Sequence, residues 1–468
     1  MSDTVLAHLD ANRDAIIERL IELASISSVS TDPAYQEGMN AARDLLVARL
    51  KDIGLENVRT LESEGHPAIY GEWLHAPDAP TFIVYGHYDV QPPDPLDKWT
   101  TPAFTPTIRD GRLYARGVSD DKGPSIIALE TIAAFLKVEG KLPINVKVFL
   151  EGEEETSSLH LADILHANAD MLRADAVISA DGARWRADLP SINVGSRGNA
   201  GFEFTVTTGV KDLHSGRFGG AVPNALHVLS RLVTSLHRDD GHVAVDGFYD
   251  GIAQLSDAER KMFAEIPFDE DKFFADLNTK PTGEAGYTTL ERLWARPTVE
   301  VNGMWGGYQG AGGKTVIPYE AHGKITLRLA PGQDPAHAKQ AVIDHLKKHC
   351  PPGATIRFGG DRGSAAAYLV PADHPLLLAA EAALAQTTGS TPVRVRVGGT
   401  LPMTDIVQQI LGIDTVMFSF STADEDFHAP NEFFRLSAID DGLAAWVSLV
   451  RKLGQQKPET YAAFRRDR

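Results

Sequence analysis

The hydrophobic pattern of the chain alternates between helical and strand-like spacing. Apolar residues recur at helical intervals over 5–26 and 35–53, and Gly54 follows the second stretch as a typical helix terminator. Further helices are predicted at 123–138 and 159–172. Short apolar runs predict strands at 68–73, 81–86, 144–150, 175–180 and 414–420. Because runs such as "FIVY" and "TVMF" are apolar throughout, we expect strands covered on both faces, as in a mostly parallel α/β sheet.

The middle of the chain has a different, alternating pattern. The predicted order there is strand 202–206, helix 223–237, strands 298–304 and 321–329, helix 335–349 and strand 354–358. This order is typical of a ferredoxin-like α+β domain. An acidic, aromatic insertion occupies about 240–297. We therefore predict an α/β domain in two parts, 1–196 and 366–468, interrupted by an α+β domain at 197–365.

Charge and cysteine content argue against several functions. With 45 Lys and Arg against 63 Asp and Glu, the formal net charge is −18, which disfavours binding to nucleic acid or to anionic membranes. The single cysteine, Cys350, cannot form a disulfide within the chain, which predicts a cytoplasmic location. The N-terminal stretch carries charges throughout, unlike a signal peptide, and no apolar run reaches the roughly 18 residues of a membrane span.

Polar clusters follow four of the predicted α/β strands. They are His87 with Asp89 after 81–86, "EGEEETSS" (151–158) after 144–150, Asp181 after 175–180, and His428 beyond 414–420. A fifth, "GVSDDKGP" (117–124), opens a helix. Since ligands bind at the carboxyl ends of parallel strands, we expect these imidazoles and carboxylates to meet in a cation site. Such ligands suit zinc, and also manganese or cobalt.

Each cluster by itself has an ordinary alternative. A His-x-Asp pair can belong to an incidental turn, an acidic run to a solvated loop, and an Asp-Gly pair to a turn or a helix cap. A lone histidine can be a core residue. The five clusters together favour a metal site, although the residues alone leave open which Asp of "DDKG" binds metal.

The motifs "GHYDVQP", "RGVSDDKGP", "EGEEETSS", "SADG" and "FHAPNE", in this order, resemble the co-catalytic zinc metallopeptidase superfamily of aminoacylases, glutamate carboxypeptidase and carnosinases. The chain looks most similar to the carnosinase and cytosolic nonspecific dipeptidase branch. The resemblance runs from the first predicted helix to the last. It implies a zinc-exopeptidase-like catalytic domain carrying a lid and dimerisation domain.

The resemblance also implies roles for individual residues. Asp120 would bridge two divalent metal ions, His87 and Asp181 would complete one set of ligands, and Glu155 and His428 the other. Glu154 would act as general base and Asp89 would hydrogen-bond the second nitrogen of His87. A metal-bridging water would be the nucleophile, since two ions lower the pKa of water. We expect Glu154 and Glu155 to divide their tasks because neighbours in an extended segment point in opposite directions.

The lid motifs suggest a second set of residues. "KDLHSGRFGG" resembles the motif whose histidine, here His214, stabilises the oxyanion across a dimer interface. Arg328 matches an arginine that receives the substrate carboxylate, although an arginine in "ITLRL" can also face solvent. Thr400 stands where the carnosinase branch tends to have serine, and Thr315 is a candidate pocket residue. A homodimer through the lid domain follows from the resemblance.

The leading functional prediction is a di-metal hydrolase that cleaves the amide bond of dipeptides or short peptides. The same machinery in an N-acyl amino acid deacylase is the nearest alternative, and the insertion at 240–297 favours the dipeptidase. A non-catalytic binding protein is a remote alternative. "QGAGGKT" (309–315) resembles a phosphate-binding loop, but Tyr308 replaces the required glycine and Pro318 disfavours the required helix.

Overall fold

Two units make up residues 3–360 and 363–466, which are the part of the chain that the computed structural model describes. The first unit contains the residues up to Val194, then Val370–Val395 and the residues from Pro402 onward. The second unit contains Gly195–Leu369 and Arg396–Leu401. A short C-terminal segment that carries Thr400 therefore groups with the central part of the chain. Within the described ranges, no helix has both the length and the apolar character needed to cross a membrane.

Most helices lie where apolar spacing predicts them, but one predicted helix is divided into two. The predicted helix at 5–26 is two helices, because the Asn12 side chain donates to the His8 carbonyl at 2.7 Å and the Asn12 backbone leaves helical geometry. The helices are α1 (Thr4–Ala11), α2 (Arg13–Ala24), α3 (Gln36–Ile53), α4 (Gly123–Glu139), α5 (Leu161–Ala167), α6 (Ser215–Phe218), α7 (Ala225–Thr234), α8 (Asp257–Ala264), α9 (Glu270–Asp276), α10 (Thr289–Ala295), α11 (Pro335–His349), α12 (Pro375–Thr388), α13 (Pro402–Leu411) and α14 (Leu436–Leu453).

The strands follow the same order of elements. They are β1 (Glu56–Leu61), β2 (Ala68–Trp73), β3 (Thr81–His87), β4 (Thr107–Arg109), β5 (Arg112–Tyr114), β6 (Asn145–Glu151), β7 (Ala176–Ser179), β8 (Ser191–Ser196), β9 (Gly198–Thr207), β10 (Leu213–His214), β11 (Thr298–Gly306), β12 (Val316–Ile317), β13 (Glu320–Leu329), β14 (Thr355–Gly359), β15 (Tyr368–Leu369), β16 (Val393–Val397), β17 (Thr415–Met417) and β18 (Phe433–Arg435).

The first unit is built on a large sheet whose central strands run in parallel. Its order is β1-β2-β6-β3-β7-β17-β8, and β3 pairs in parallel with both β6 and β7. Strand β3 is buried along almost its whole length, as its continuous apolar run predicts. Because His87 is in register with Glu151, the loops after β3 and β6 leave from the same edge of the sheet.

Strand β17 is shorter than the predicted strand at 414–420. The Phe418 N–H still donates to the carbonyl of Ser179 at 2.7 Å, but farther along the chain polar groups bond to loops at the sheet edge instead. The Ser421 hydroxyl donates to the carbonyl of Ser119 at 2.6 Å, and the Thr422 N–H donates to Glu425 at 3.0 Å. These bonds direct the chain toward the loop that contains His428.

The second unit contains an antiparallel sheet with the order β11-β13-β9-β14. Residues of β13 alternate between buried and partly exposed, which is typical of a sheet with one covered face. Helices α7 and α11 contribute buried residues such as Leu229 and Leu346 to the core that also contains Phe204 and Ile325 of the sheet. The chain order β-α-β-β-α-β is ferredoxin-like. The predicted fold class is therefore confirmed for both units.

Candidate metal centre

His87 lies at the end of β3 and is almost completely buried. Its Nδ1 atom is 3.0 Å from the main-chain carbonyl of Asp89, and its Nε2 atom is 3.1 Å from Oδ1 of Asp120. Because a carbonyl oxygen only accepts, this arrangement places a proton on Nδ1. The lone pair of Nε2 is then directed toward the same region as the Asp120 carboxylate, as a metal-binding imidazole requires.

The Asp89 carboxylate has different principal partners from the one that the sequence predicts. Its Oδ1 is 3.4 Å from Nδ1 of His87, farther than the Asp89 carbonyl. The carboxylate accepts from the N–H groups of Glu154 at 3.2 Å and Glu155 at 3.0 Å, and from the Ser30 hydroxyl at 2.7 Å. Asp89 therefore ties the loop after β3 to the loop after β6.

Two groups of side chains could each hold a metal ion, and they share one carboxylate. His87, Asp120 and Asp181 form the first group, and Asp120, Glu155 and His428 form the second. Within each group, one ligand atom per residue lies within 4.8 Å of the others. Imidazole nitrogen and carboxylate oxygen are the donors that zinc, manganese and cobalt accept, so the residues present fit a pair of divalent ions.

The two aspartates of "DDKG" point in different directions. Asp120 faces both histidines, with Oδ1 3.1 Å from His87 and Oδ2 2.9 Å from His428. The Asp121 carboxylate turns back to the sheet, where Oδ2 accepts from the His87 N–H at 3.2 Å and from the Ser125 hydroxyl at 2.8 Å. Of these two aspartates, Asp120 faces both ligand groups and Asp121 faces neither, a distinction that the sequence alone leaves open.

The two adjacent glutamates after β6, Glu154 and Glu155, lie in a tight turn rather than in an extended segment, contrary to our expectation. Glu154–Thr156 is a 3₁₀ helix, in which successive side chains diverge by about 120°. The Glu155 carboxylate accepts from the Gln91 amide at 2.8 Å. Within residues 3–360 and 363–466, no side chain bonds to the Glu154 carboxylate, and burial raises the pKa of Glu154 well above its ordinary value. This carboxylate is free to meet a water molecule.

Burial disfavours the charged form of two carboxyl groups in this centre. It raises the pKa of Asp181 to about 6 and the pKa of Glu155 to about 8, and the charge of Asp120 adds to both increases. Asp120 behaves differently: burial favours a higher pKa, but the adjacent imidazoles of His428 and His87 outweigh burial and lower the pKa of Asp120. The carboxylates outnumber the imidazoles, so divalent cations would offset the excess charge.

Glu432 holds the loop that carries Asp120, and sequence reasoning did not assign it a role. Its buried carboxylate accepts from the N–H groups of Gly117 at 2.9 Å, Ser119 at 3.0 Å and Asp120 at 3.2 Å, and from Arg116 at 2.7 Å. Glu425, which precedes His428 in the chain as Glu432 follows it, accepts a hydrogen bond from the Ser119 hydroxyl. Glu432 lies in "FHAPNE" and Gln91 in "GHYDVQP", and these positions within the motifs are the sequence feature that could have identified both residues.

Substituting Glu432 by glutamine is expected to weaken metal binding roughly 10–100-fold, the usual cost of losing an outer-sphere partner. The amide nitrogen of glutamine would face donors that the carboxylate now satisfies, and the Asp120 loop would shift. Titration of zinc with a competing chelator measures the change. Glu130→Gln is the matched control, because Glu130 is an equally buried glutamate that binds Arg19 and Arg49 away from the centre. An unchanged zinc affinity in Glu432→Gln would contradict this role.

Asp89→Asn is expected to retain both ions and to lose roughly 10–100-fold in metal affinity or rate, because asparagine has one acceptor oxygen fewer for three donors. His87→Ala, in contrast, should lose a metal ion. Elemental analysis and kcat/KM separate the two cases. Ser30→Ala removes one of the three bonds and should have a smaller effect. Loss of an ion in Asp89→Asn would mean that Asp89 is itself a ligand.

The lid residues lie in the second unit. His214 ends β10, where its Nδ1 accepts from the Gly216 N–H at 3.0 Å. The carbonyl of Thr315 accepts from the Ser215 N–H, and the segment after Thr315 is strand β12 rather than the helix of a phosphate-binding loop. Arg328 on β13 donates to the Thr400 hydroxyl at 3.0 Å.

Comparison with known proteins identifies the family. The family described as peptidase family M20/M25/M40 matches residues 83–452. The chain belongs to this family. The predicted resemblance and the predicted enzyme class, a metallopeptidase, are thereby confirmed.

Relatives of this M20 peptidase are similar over nearly their whole length. The Cys-Gly metallodipeptidase dug1 of Schizosaccharomyces pombe is 28% identical over 97% of this chain and 99% of its own. The Beta-Ala-His dipeptidase of Mus musculus is 29% identical over 91% and 90%, respectively. Human carnosine dipeptidase 1 aligns with a TM-score of 0.79 at 27% identity, covering 97% of this chain and 98% of its own. The M20 metallo-carboxypeptidase Sso-CP2 of Sulfolobus solfataricus has a TM-score of 0.82 at 29% identity, covering 94% and 99%.

Proposed function

We propose that this peptidase hydrolyses dipeptides at a centre of two divalent metal ions. One observation carries the proposal: two ligand groups share Asp120, and the Glu154 carboxylate beside them has no side-chain partner in the described ranges. A shared carboxylate is what a dinuclear hydrolase needs to hold two ions close together. Full-length similarity to two dipeptidases supports dipeptides as the substrate class.

In the proposed reaction, Glu154 moves protons. When bound, a pair of divalent ions supplies Lewis acidity that lowers the pKa of water and polarises the scissile carbonyl. Glu154 then accepts a proton from the attacking water and delivers it to the leaving amine. Its buried position favours the first transfer, because a carboxylate of raised pKa accepts a proton more readily than an exposed one.

The second unit supplies the groups that bind substrate in this proposal. Because Nδ1 of His214 accepts a main-chain N–H, the proton of the neutral ring is on Nε2, where it can be donated to an oxyanion. Arg328 receives the substrate carboxylate, and Thr400, already bonded to Arg328, orients the guanidinium. Thr315 lines the pocket.

We propose zinc as the native metal, with manganese or cobalt as alternatives. Each ligand group combines one histidine with two carboxylates, and this donor set is borderline between the preferences of zinc and of manganese. Reconstitution of the metal-free protein with each ion, followed by activity measurement, ranks them.

A substrate panel tests the proposed function. Purified protein is assayed with free dipeptides, tripeptides and N-acetyl amino acids, each with and without chelator, and zinc or manganese is then added back. We expect dipeptides to be cleaved, chelator to abolish the activity, and added metal to restore it. Hydrolysis of N-acetyl amino acids alone would favour the deacylase, and activity that survives full metal removal would contradict the di-metal mechanism.

We further propose a homodimer through the second unit, with His214 acting at the centre of the partner subunit. Strand β11 supports this, because it lies at an edge of its sheet and exposes Met304 and Trp305. Mixing Glu154→Gln with His214→Ala should restore up to about a quarter of wild-type activity if random dimers share sites. Monomers with full activity would refute the shared site.

A cytoplasmic location is also proposed. The single cysteine, Cys350, supports it, because a chain without disulfides suits a reducing compartment. Fractionation of cells that express the tagged protein tests this, and recovery outside the cytoplasmic fraction would contradict it.

A further inference from the structure

Arg197 lies just before β9 in the second unit, and its guanidinium ties two segments together. Its Nε donates to the carbonyl of Gly398 at 3.0 Å, and its Nη1 donates to the carbonyl of Arg296 at 3.3 Å. The N–H of Arg197 also donates to the carbonyl of Val397 at 3.3 Å. Three bonds therefore hold this arginine against main-chain atoms, with only 9% of its surface exposed.

The segment that Arg197 holds is the one that carries Thr400. Arg396–Leu401 belongs to the second unit although its neighbours in sequence belong to the first. Glu259 of α8 binds it from another side, through Arg396 at 2.7 Å. Thr400 then meets Arg328 at 3.0 Å. The position of Thr400, the partner of Arg328, therefore depends on the hydrogen bonds that Arg197 and Glu259 make to Arg396 and Gly398.

The close approach of Arg197 to this segment leaves little room for a side chain at Gly398. A Cβ atom on Gly398 would lie 3.2 Å from Nη2 of Arg197 and 3.0 Å from the carbonyl oxygen of Leu293. Both distances are shorter than ordinary van der Waals contact. An alanine at this position would push the guanidinium or the backbone away by a few tenths of an ångström.

The two arginines also leave a positive charge unbalanced. Within residues 3–360 and 363–466, neither Arg197 nor Arg328 has a carboxylate within salt-bridge distance. Burial and the charge of Arg328 together lower the pKa of Arg197 to about 10, and exposed Glu300 only partly opposes this decrease. Two cations held near each other in a partly desolvated place favour an anionic ligand.

We propose that Arg197 is a positioning residue of the substrate-carboxylate pocket: it holds the segment from Val397 to Thr400 against Arg328 and adds a second positive charge that selects substrates with a free carboxylate. This inference rests on the proposed dipeptidase function. A purely structural role would stabilise the second unit without affecting the choice between a free and a blocked C-terminus.

The test compares alanylalanine with its C-terminal amide in wild type, Arg197→Met and Arg197→Lys. Removing a buried charged donor is expected to lower kcat/KM for alanylalanine roughly 10–100-fold, mainly through KM, and to change that for the amide less than about 3-fold. Arg197→Lys keeps the charge but not the planar set of donors, so it should restore part of the preference. Gly398→Ala, which keeps Arg197 itself, should reduce the preference in the same direction.

Arg292→Met is the matched control. Arg292 also donates only to main-chain carbonyls, those of Thr282 and Tyr287, and should leave the preference unchanged. Equal losses on both substrates, or an unchanged preference in Arg197→Met and Gly398→Ala, would overturn the inference. If wild type cleaves neither substrate, the proposed function itself fails, and the inference falls with it. Thermal unfolding and metal content identify any variant that has simply lost its fold.

Discussion

Replacing Glu154 by glutamine is expected to lower kcat about 10²–10⁴-fold, the usual contribution of general acid–base catalysis, while both ligand groups keep their ions. Glutamine has nearly the same shape but cannot accept a proton from water. The Glu154 carboxylate belongs to neither ligand group and has no side-chain partner in the described ranges, so its loss should spare metal binding. Kinetics with elemental analysis of the same sample measure both quantities.

Glu153→Gln is the control for this experiment. Glu153 lies in the same loop and is buried, but its carboxylate binds His160 at 2.8 Å instead of facing the metal groups. The Glu153→Gln variant should retain most of the wild-type activity. If Glu154→Gln keeps full activity, another group is the base; if it loses an ion, Glu154 is a ligand.

Asp120→Asn is expected to have the second large effect, because Asp120 is the one residue that the two ligand groups share. An amide carries no charge and offers a single oxygen, so it cannot bridge two cations. We expect both ions to bind more weakly and activity to fall more than about 100-fold, the upper range for losing an outer-sphere partner. Isothermal titration of the metal-free protein with zinc measures the affinity and the number of sites.

Two further variants make the result specific. Asp181→Asn removes a ligand from one group only, and should weaken one site. Asp121→Asn changes the adjacent buried carboxylate, which binds the His87 N–H and the Ser125 hydroxyl, and should leave two sites with at most a moderate loss of affinity. If Asp121→Asn, rather than Asp120→Asn, abolished binding at both sites, the bridging role would belong to Asp121.

The main elements could be predicted because their signals are local. The continuous apolar run before His87 predicts β3 almost to the residue, and Gly54 ends α3 with a positive φ of 94° as its position predicts. Alternation over 321–329 predicts β13 within one residue. The predicted helix at 5–26 fails at Asn12, where one side-chain bond outweighs a favourable apolar pattern.

The candidate site was predictable in its residue types and less so in its geometry. The sequence identifies His87 and His428 as histidines at one sheet edge, and the structure places both beside Asp120. It does not distinguish the carboxylate of Asp89 from its carbonyl as the partner of His87. The sequence also does not assign Glu432 a function, because a buried glutamate and a solvated one look the same in a sequence. Only the structure shows the N–H groups that donate to Glu432.

The sequence by itself determined the order of elements, the fold class, the family and the residue types that collect after the parallel strands, because apolar periodicity and short motifs are properties of neighbouring residues. Only the tertiary structure decided which aspartate faces both ligand groups, how Glu432 holds that loop, and how Arg197 holds the segment with Thr400. These contacts join residues about 200 to 300 positions apart in the chain. Such side-chain directions depend on the packing of whole elements, which no local pattern encodes.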